Sequence, residues 1–252
     1  MQFTFPDGNA VRVNCSDSGA VLSACRQHLR AGQGFALATI NVDHLQRLGE
    51  EPAFRRAYAA HDLVCADGNP IVWLARLAGK PVGLAPGSDL VLPLAQLAAE
   101  QGAPVALIGG NQAALQKSAR AMQDRVPGLK VALIHAPGFP FDPMGQEAAE
   151  VIDRLRAAGA RLCFLALGAP RQEIFAIRAR DALPGMGFAS IGAGLDFLSG
   201  QQTRAPSLVR KAKMEWLWRM LSNPRRLALR YAKGFAILPG HALAAIRQRR
   251  DG

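Results

Sequence analysis

The chain is expected to fold as an α/β protein: a mostly parallel sheet covered by helices, with a basic helical appendage at its C-terminus. Three observations lead there. Six short runs are apolar throughout, the pattern of strands buried on both faces. Longer amphipathic stretches alternate with them, as crossover helices between parallel strands require. The charge then shifts. Residues 204–252 hold 12 of the 30 Lys and Arg and only 2 of the 19 acids, leaving 18 against 17 in residues 1–203.

The first thirty residues read as a small β-hairpin leading into a helix around 18–29. Buried strands are expected at 35–41, 63–67, 104–110, 130–134, 161–168 and 187–193. Helical periodicity fills 88–101, 111–125, 146–158 and 171–182. Beyond Gly200 the strands stop. Residues 215–221 and 224–237 read as helices rich in Arg, Trp and Tyr, with Arg204-Ala-Pro and Asn223-Pro as breaks. The expected division is a core over 1–200 and a helical appendage over 201–252. No internal repeat is visible.

Composition narrows the function classes. With 252 residues, half of them hydrophobic, the chain can bury a full core. Cys15, Cys25, Cys65 and Cys163 lack C-x-x-C spacing, so free thiols in a reducing cytoplasm are expected rather than a zinc site or disulfides. The first residues lack the basic segment and apolar run of a signal peptide. The longest apolar runs are strand-length, too short to cross a bilayer. The expected location is therefore the cytoplasm, with any membrane contact peripheral. A formal charge of +11, nearly all of it in the tail, points to an anionic partner: a membrane surface, a diphosphate or nucleic acid.

Ligands of parallel α/β sheets bind beyond the carboxyl ends of the strands, and the residues that follow each expected strand are polar. Thr39, Asn41, Asp43 and His44 follow the first; Asp67, Gly68 and Asn69 the second; Gly109, Gly110 and Asn111 the third. Arg171, Gln172 and Glu173 follow the fifth strand and Asp196 the sixth. Gly109-Gly110 would let backbone amides approach a phosphate at a helix N-terminus, or serve as a plain structural turn. Arg171 and Gln172 are placed to meet a charged or hydroxylated ligand, or to cap a surface turn. Asp67 reads either as a general base at the sheet edge or as a turn-capping aspartate. His44 and His135 are further candidate bases. There is no dinucleotide fingerprint, P-loop, D-x-D, H-E-x-x-H or Cys/His cluster, so neither a cofactor nor a metal is expected.

These residues resemble a known family. In order along the chain stand Thr39-Ile-Asn-Val-Asp-His44, Ala66-Asp-Gly-Asn-Pro-Ile-Val-Trp73, Pro86-Gly-Ser-Asp-Leu90 and Leu107-Ile-Gly-Gly110. Then come Leu167-Gly-Ala-Pro-Arg-Gln-Glu173, Gly192-Ala-Gly-Leu-Asp-Phe-Leu-Ser-Gly200, Arg204-Ala-Pro206, Glu215-Trp-Leu-Trp-Arg219 and Pro224-Arg-Arg-Leu-Ala-Leu-Arg-Tyr231. Together, over roughly residues 36–231, they resemble the WecG/TagA/CpsF glycosyltransferases, family 26. The resemblance implies a Rossmann-like core with a membrane-targeting C-terminal appendage. It implies inverting, metal-independent transfer from a UDP-sugar to a polyprenyl-diphosphate-linked glycan at the inner face of the cell membrane. Such enzymes build teichoic acid linkers, enterobacterial common antigen and exopolysaccharides. By the same likeness Asp67 is the base, and Thr39, Asn41 and Gln172 line its pocket. One departure stands out: Leu84 lies where the family usually carries an arginine before Gly-Ser-Asp-Leu.

Without a metal, the leaving diphosphate needs amides, helix N-termini and arginines. Arg219, Arg226 and Arg230 of the appendage are the expected source of that charge. Residues 234–246, flanked by Lys233 and by Arg247 to Arg250, suit shallow insertion into an anionic membrane surface, aided by Trp216, Trp218 and Tyr231. A homo-oligomer that hides this apolar surface is left open. The rival readings are a non-catalytic basic protein that binds membrane or nucleic acid, and a nucleotide-dependent oxidoreductase. The first leaves the polar strand ends without a purpose. Nucleic acid is not the expected partner, since the tail offers no evident recognition helix or β-platform. The second lacks its glycine fingerprint.

Overall fold

A computed structural model of the chain describes residues 1–200 and 224–250, and for 224–231 the backbone alone. It begins with a two-stranded antiparallel hairpin, β1 (Gln2–Thr4) and β2 (Ala10–Arg12), followed by α1 (Ser18–Ala31). Next come β3 (Phe35–Ile40), α2 (Val42–Glu50), α3 (Pro52–Ala59), β4 (Leu63–Ala66), α4 (Asn69–Leu77) and α5 (Gly87–Glu100). Then follow β5 (Val105–Gly109), α6 (Gln112–Arg125), β6 (Val131–His135), α7 (Gln146–Ala157), β7 (Leu162–Ala166), α8 (Arg171–Ala182), β8 (Gly187–Ser190) and α9 (Gly194–Leu198). The last described element is α10 (Pro224–Arg250).

Strands β3 to β8 form one sheet in the order β4-β3-β8-β7-β5-β6, and every pairing is parallel. All six expected strands are present, five of them buried and β6 partly exposed at the sheet edge, and the α/β Rossmann-like reading holds. Side chains alternate across the sheet. Phe35, Leu37, Val105, Leu107, Leu162, Phe164 and Ala189 pack with α1, α5 and α6 on one face. Ile108, Cys163, Leu165 and Phe188 pack with α7 and α8 on the other, beside a separate cluster in which Ala38, Ile40 and Val64 meet the hairpin and α2 to α4. Burial on both faces explains why β3, β4, β5, β7 and β8 are so apolar; β6, with a neighbour on one side only, stays partly exposed along its length.

Two stretches differ from expectation. The residues after β3 read as a polar strand end and those after β4 as a turn, yet each opens a helix. Asn41 caps α2 with its side chain, and Pro70 sits in the first turn of α4, where a missing N–H costs nothing. The helix expected to end at 237 instead runs on to Arg250 through Pro239. Its inner face packs against the body. Ile237, Leu238 and Ala242 join the cluster around β3 and β4, Ala245 is buried, and His241 meets the Phe3 ring edge-on at 5.5 Å between centroids. Gln248 also exchanges hydrogen bonds with the Gln2 backbone. Much of the 234–246 segment expected at a membrane surface therefore faces protein, while Phe235, Leu243 and Ile246 stay exposed. Residues 215–221, with Trp216 and Trp218, lie outside the described residues, as does the Tyr231 side chain.

Candidate active site

The C-terminal ends of β3 and β4 lie side by side, and the polar residues after them meet there. The ladder continues one residue past β4, where the Asp67 N–H donates to the Ile40 carbonyl at 2.8 Å. This sets the Asp67 carboxylate beside Thr39, whose Oγ1 donates to Asp67 Oδ2 in a long bond of 3.5 Å. Thr39 is buried and Asp67 half-buried. Gly68 then turns the chain at φ 133° and ψ 140°, a conformation side-chain-bearing residues rarely adopt, and α4 starts at Asn69. The turn brings Gly68 against Asn41: a Cβ built on Gly68 would lie 3.8 Å from the Asn41 Cβ. Asn41 Oδ1 accepts from the His44 N–H at 3.0 Å. Thr39, Asn41, Asp67, Gly68 and Asn69 thus form one cluster at the sheet rim.

A second group comes from the loop after β7. Gly168 (φ 73°) and a cis Ala169-Pro170 bond lead into α8. Gln172 and Glu173 are both buried, and Gln172 Nε2 donates to Glu173 Oε1 at 2.8 Å. Gln172 Oε1 and Glu173 Oε2 have no hydrogen-bond partner among the described residues. Burial pushes the Glu173 carboxyl up to about 7, against the pull of the Gln172 amide, its own backbone N–H and the Arg47 charge. Two links tie this group to the first. Arg47 of α2 donates from Nη1 to the Ala169 carbonyl at 2.7 Å. Tyr58 of α3 lies in the field of both Glu173 and Asp67. Its hydroxyl is raised well above the usual range by burial first, then by Glu173, Cys65 and Asp67. Its Oη sits 3.1 Å from His44 Nδ1, which places His44 in the core beneath the rim.

The other expected positions lie farther along the same rim. A Cβ on Gly109 would fall 3.1 Å from Leu115 Cδ2 and 3.2 Å from the Ala166 Cβ, so close packing accounts for glycine there. Gly110 faces open space. Asn111 caps α6 with its own side chain, Oδ1 accepting from the Ala114 N–H at 2.9 Å, so one N–H of that helix end is already taken. Asp196 stands on α9, after β8. Leu84 is exposed beside a buried Ala85. Arg219 lies outside the described residues, as do the side chains of Arg226 and Arg230 at the start of α10. Sequence reasoning missed Phe139, in the loop after β6. Its ring is 87% exposed, and the Arg171 guanidinium covers one face at 5.3 Å from the centroid. An aromatic in a Pro-Gly-Phe-Pro-Phe loop has no helix or strand periodicity to betray it.

Among the described residues, no three His, Cys, Asp or Glu side chains are grouped to hold a metal ion, and no helix is long and apolar enough to cross a membrane. A half-buried carboxylate beside a hydroxyl and an amide, at the ligand-binding edge of a parallel sheet, is equipped to take a proton from an alcohol. A model of the family described as "Glycosyl transferase WecG/TagA/CpsF family" matches residues 9–252, essentially the whole chain, and the chain belongs to that family. Membership makes it a glycosyltransferase of cell-surface polysaccharide synthesis, with a nucleotide-sugar donor and a glycan acceptor.

Proposed function

We propose that this WecG/TagA/CpsF-family glycosyltransferase moves a sugar, with inversion, from a UDP-sugar to a polyprenyl-diphosphate-linked saccharide, and that Asp67 is its general base. The meeting of Thr39, Asn41 and Asp67 at the rim of β3 and β4 carries this reading. The acceptor hydroxyl gives its proton to Asp67 while its oxygen bonds to the anomeric carbon. The bond to the donor phosphate oxygen breaks, and its electron pair leaves with UDP. Thr39 and Asn41 orient the reacting groups beside Asp67, and Gly68 and Asn69 shape the floor. Gln172 lines the neighbouring wall with Glu173 behind it. The open face of Phe139 suits stacking of the donor's base. Gly110, Arg171 and Asp196 lie along the rim toward which the diphosphate and ribose would extend.

Metal need not take part in this reading. The charge on departing UDP is met by Arg219, Arg226 and Arg230 of the appendage, whose planar forks bind phosphate oxygens bidentately. The same arm holds the enzyme on the inner face of the cell membrane. Two observations support this. Phe235, Leu243 and Ile246 form an exposed apolar stripe on α10, and Trp73 and Leu77 are exposed one turn apart on the adjoining α4. Cations border the two helices: a Cβ on Gly79, two residues past α4, would lie 3.4 Å from Arg249 Cγ, next to Lys80. Each Lys or Arg near an anionic surface contributes roughly 1 kcal/mol.

The test is a panel of UDP-sugars and of other nucleotide-sugars offered with a short-chain polyprenyl-diphosphate saccharide, with mass detection, in EDTA and in added divalent metal. One UDP-sugar transferred under chelation supports the reading. Transfer only from another nucleotide's sugar, or only with added metal, contradicts it.

A further inference from the structure

Helix α10 meets the site from behind. Gly234 is buried on its inner face, and a Cβ built there would fall 2.6 Å from Cγ1 of Val42. Glycine in a helix interior weakens the helix relative to alanine, and at 234 the closeness of Val42 supplies a packing reason that Gly240, with open space around it, lacks. Its backbone is not of the kind that demands glycine, because Gly234 is not among the residues of positive φ. What demands it is closeness to Val42.

Val42 is the first residue of α2, directly after Asn41. Asn41 caps that helix and abuts Gly68, so the height of the first turn of α2 sets where the Asn41 amide lies relative to Asp67. The other end of α2 is pinned as well, by the Arg47 bond to the Ala169 carbonyl. Nor can α10 easily move away. Its C-terminal half is tied to the hairpin through the Phe3–His241 ring contact and the Gln2–Gln248 bonds. A group added at 234 therefore pushes on α2 rather than displacing the long helix.

We infer that Gly234 is a positioning residue: through its contact with Val42, α10 fixes the first turn of α2 and so places Asn41 beside the base. The appendage then supports the chemistry by packing, apart from any charge its arginines bring. This rests on the reading of Asn41 and Asp67 as the reacting pocket, so the experiment separates the two.

Four variants of the full chain are assayed with the wild type, on a donor and a short-chain acceptor without membranes: Gly234→Ala, Val42→Ala, both together, and Asn41→Ala. Misplacement by about 1 Å at a reacting centre can cost up to about 100-fold in rate. Gly234→Ala is expected to lower kcat on the order of 10-fold with little change in the KM for donor. The double variant is expected to recover most of it, because the Val42 Cβ lies 3.7 Å from the added carbon, an ordinary contact. Recovery by shrinking the opposite side chain is something a change in the helix unrelated to Val42 would not show. Thermal melting of each variant establishes that it is folded, and the double variant keeps the test open should Gly234→Ala fold poorly. Full activity of Gly234→Ala, or a loss that Val42→Ala leaves in place, overturns the inference. If Asn41→Ala is impaired in that case, only the inference falls; if Asn41→Ala is fully active, the reading of the pocket falls with it.

Discussion

Replacing Glu173 with glutamine should stabilise the protein, and more so as pH rises. Glu173 is fully buried, and its carboxyl is pushed from its ordinary 4.5 up to about 7, chiefly by loss of water. One pKa unit is worth about 1.4 kcal/mol, so holding this group in the fold costs about 3 kcal/mol once it ionises. The sign follows from proton counts. Below 4.5 the carboxyl is neutral in both the folded and unfolded chain, and nothing is lost. Between 4.5 and about 7 the unfolded chain releases the proton while the folded chain keeps it, so stability falls as pH rises, and the full loss is reached above 7. Glutamine keeps the carbonyl that accepts from Gln172 Nε2 but has no charge to bury. The advantage of Glu173→Gln should therefore grow by about 2 to 3 kcal/mol between pH 5 and pH 8. In melting temperature that is a widening of about 5 to 10 °C for a chain of this size. Urea unfolding of both proteins across that range reads the difference directly, and other titrating groups cancel in it. A gap that stays flat, or that favours the wild type at pH 8, would refute the assignment of a raised carboxyl at 173.

Other outcomes are expected elsewhere on the rim and on the outer face. Gly68→Ala forces a side chain into a conformation worth about 1–3 kcal/mol of strain and swings Asp67 away from Thr39; melting should drop and transfer should fall together. Phe139→Ala should raise the KM for donor about 10-fold with kcat nearly kept, since a lost stacking contact weakens binding by about 1–3 kcal/mol; an unchanged KM would remove Phe139 from the donor site. Leu243→Glu, on the exposed side of α10, should reduce co-sedimentation with anionic vesicles while sparing turnover of a short-chain acceptor. Equal sedimentation would show that this face does not touch lipid.

Much of this architecture is readable from residues alone, for definite reasons. Burial on both faces makes β3, β5, β7 and β8 continuously apolar, a pattern with few alternatives, and α5 to α7 carry amphipathic periodicity between them. Helices α2 and α4 escape because their caps, Asn41 and Gly68-Asn69-Pro70, are also turn signals, and residue type does not tell a turn from a helix start. Pro239 misleads in the opposite sense: a proline in a helix usually ends it, yet tertiary packing of Ile237, Leu238, Ala242 and Ala245 on the inner face carries the helix through. The positions of Thr39, Asn41 and Asp67 follow from the rule that strand ends hold ligands. The burial of Glu173 does not, because a charged residue in the first turn of a helix ordinarily faces water. The Gly234–Val42 contact joins residues far apart in sequence, which only the folded chain brings together.

The most direct test of Asp67 as the base is transfer by Asp67→Asn under single-turnover conditions, with UDP-sugar and lipid-linked acceptor both saturating and nucleotide binding measured alongside. Asparagine keeps the size of the side chain and an oxygen for the Thr39 hydroxyl but accepts no proton at neutral pH. Nucleotide should bind with near wild-type affinity while the rate of sugar transfer falls by about 10²- to 10⁴-fold. Transfer at the wild-type rate by a folded, nucleotide-binding Asp67→Asn protein would contradict the assignment and move the base elsewhere.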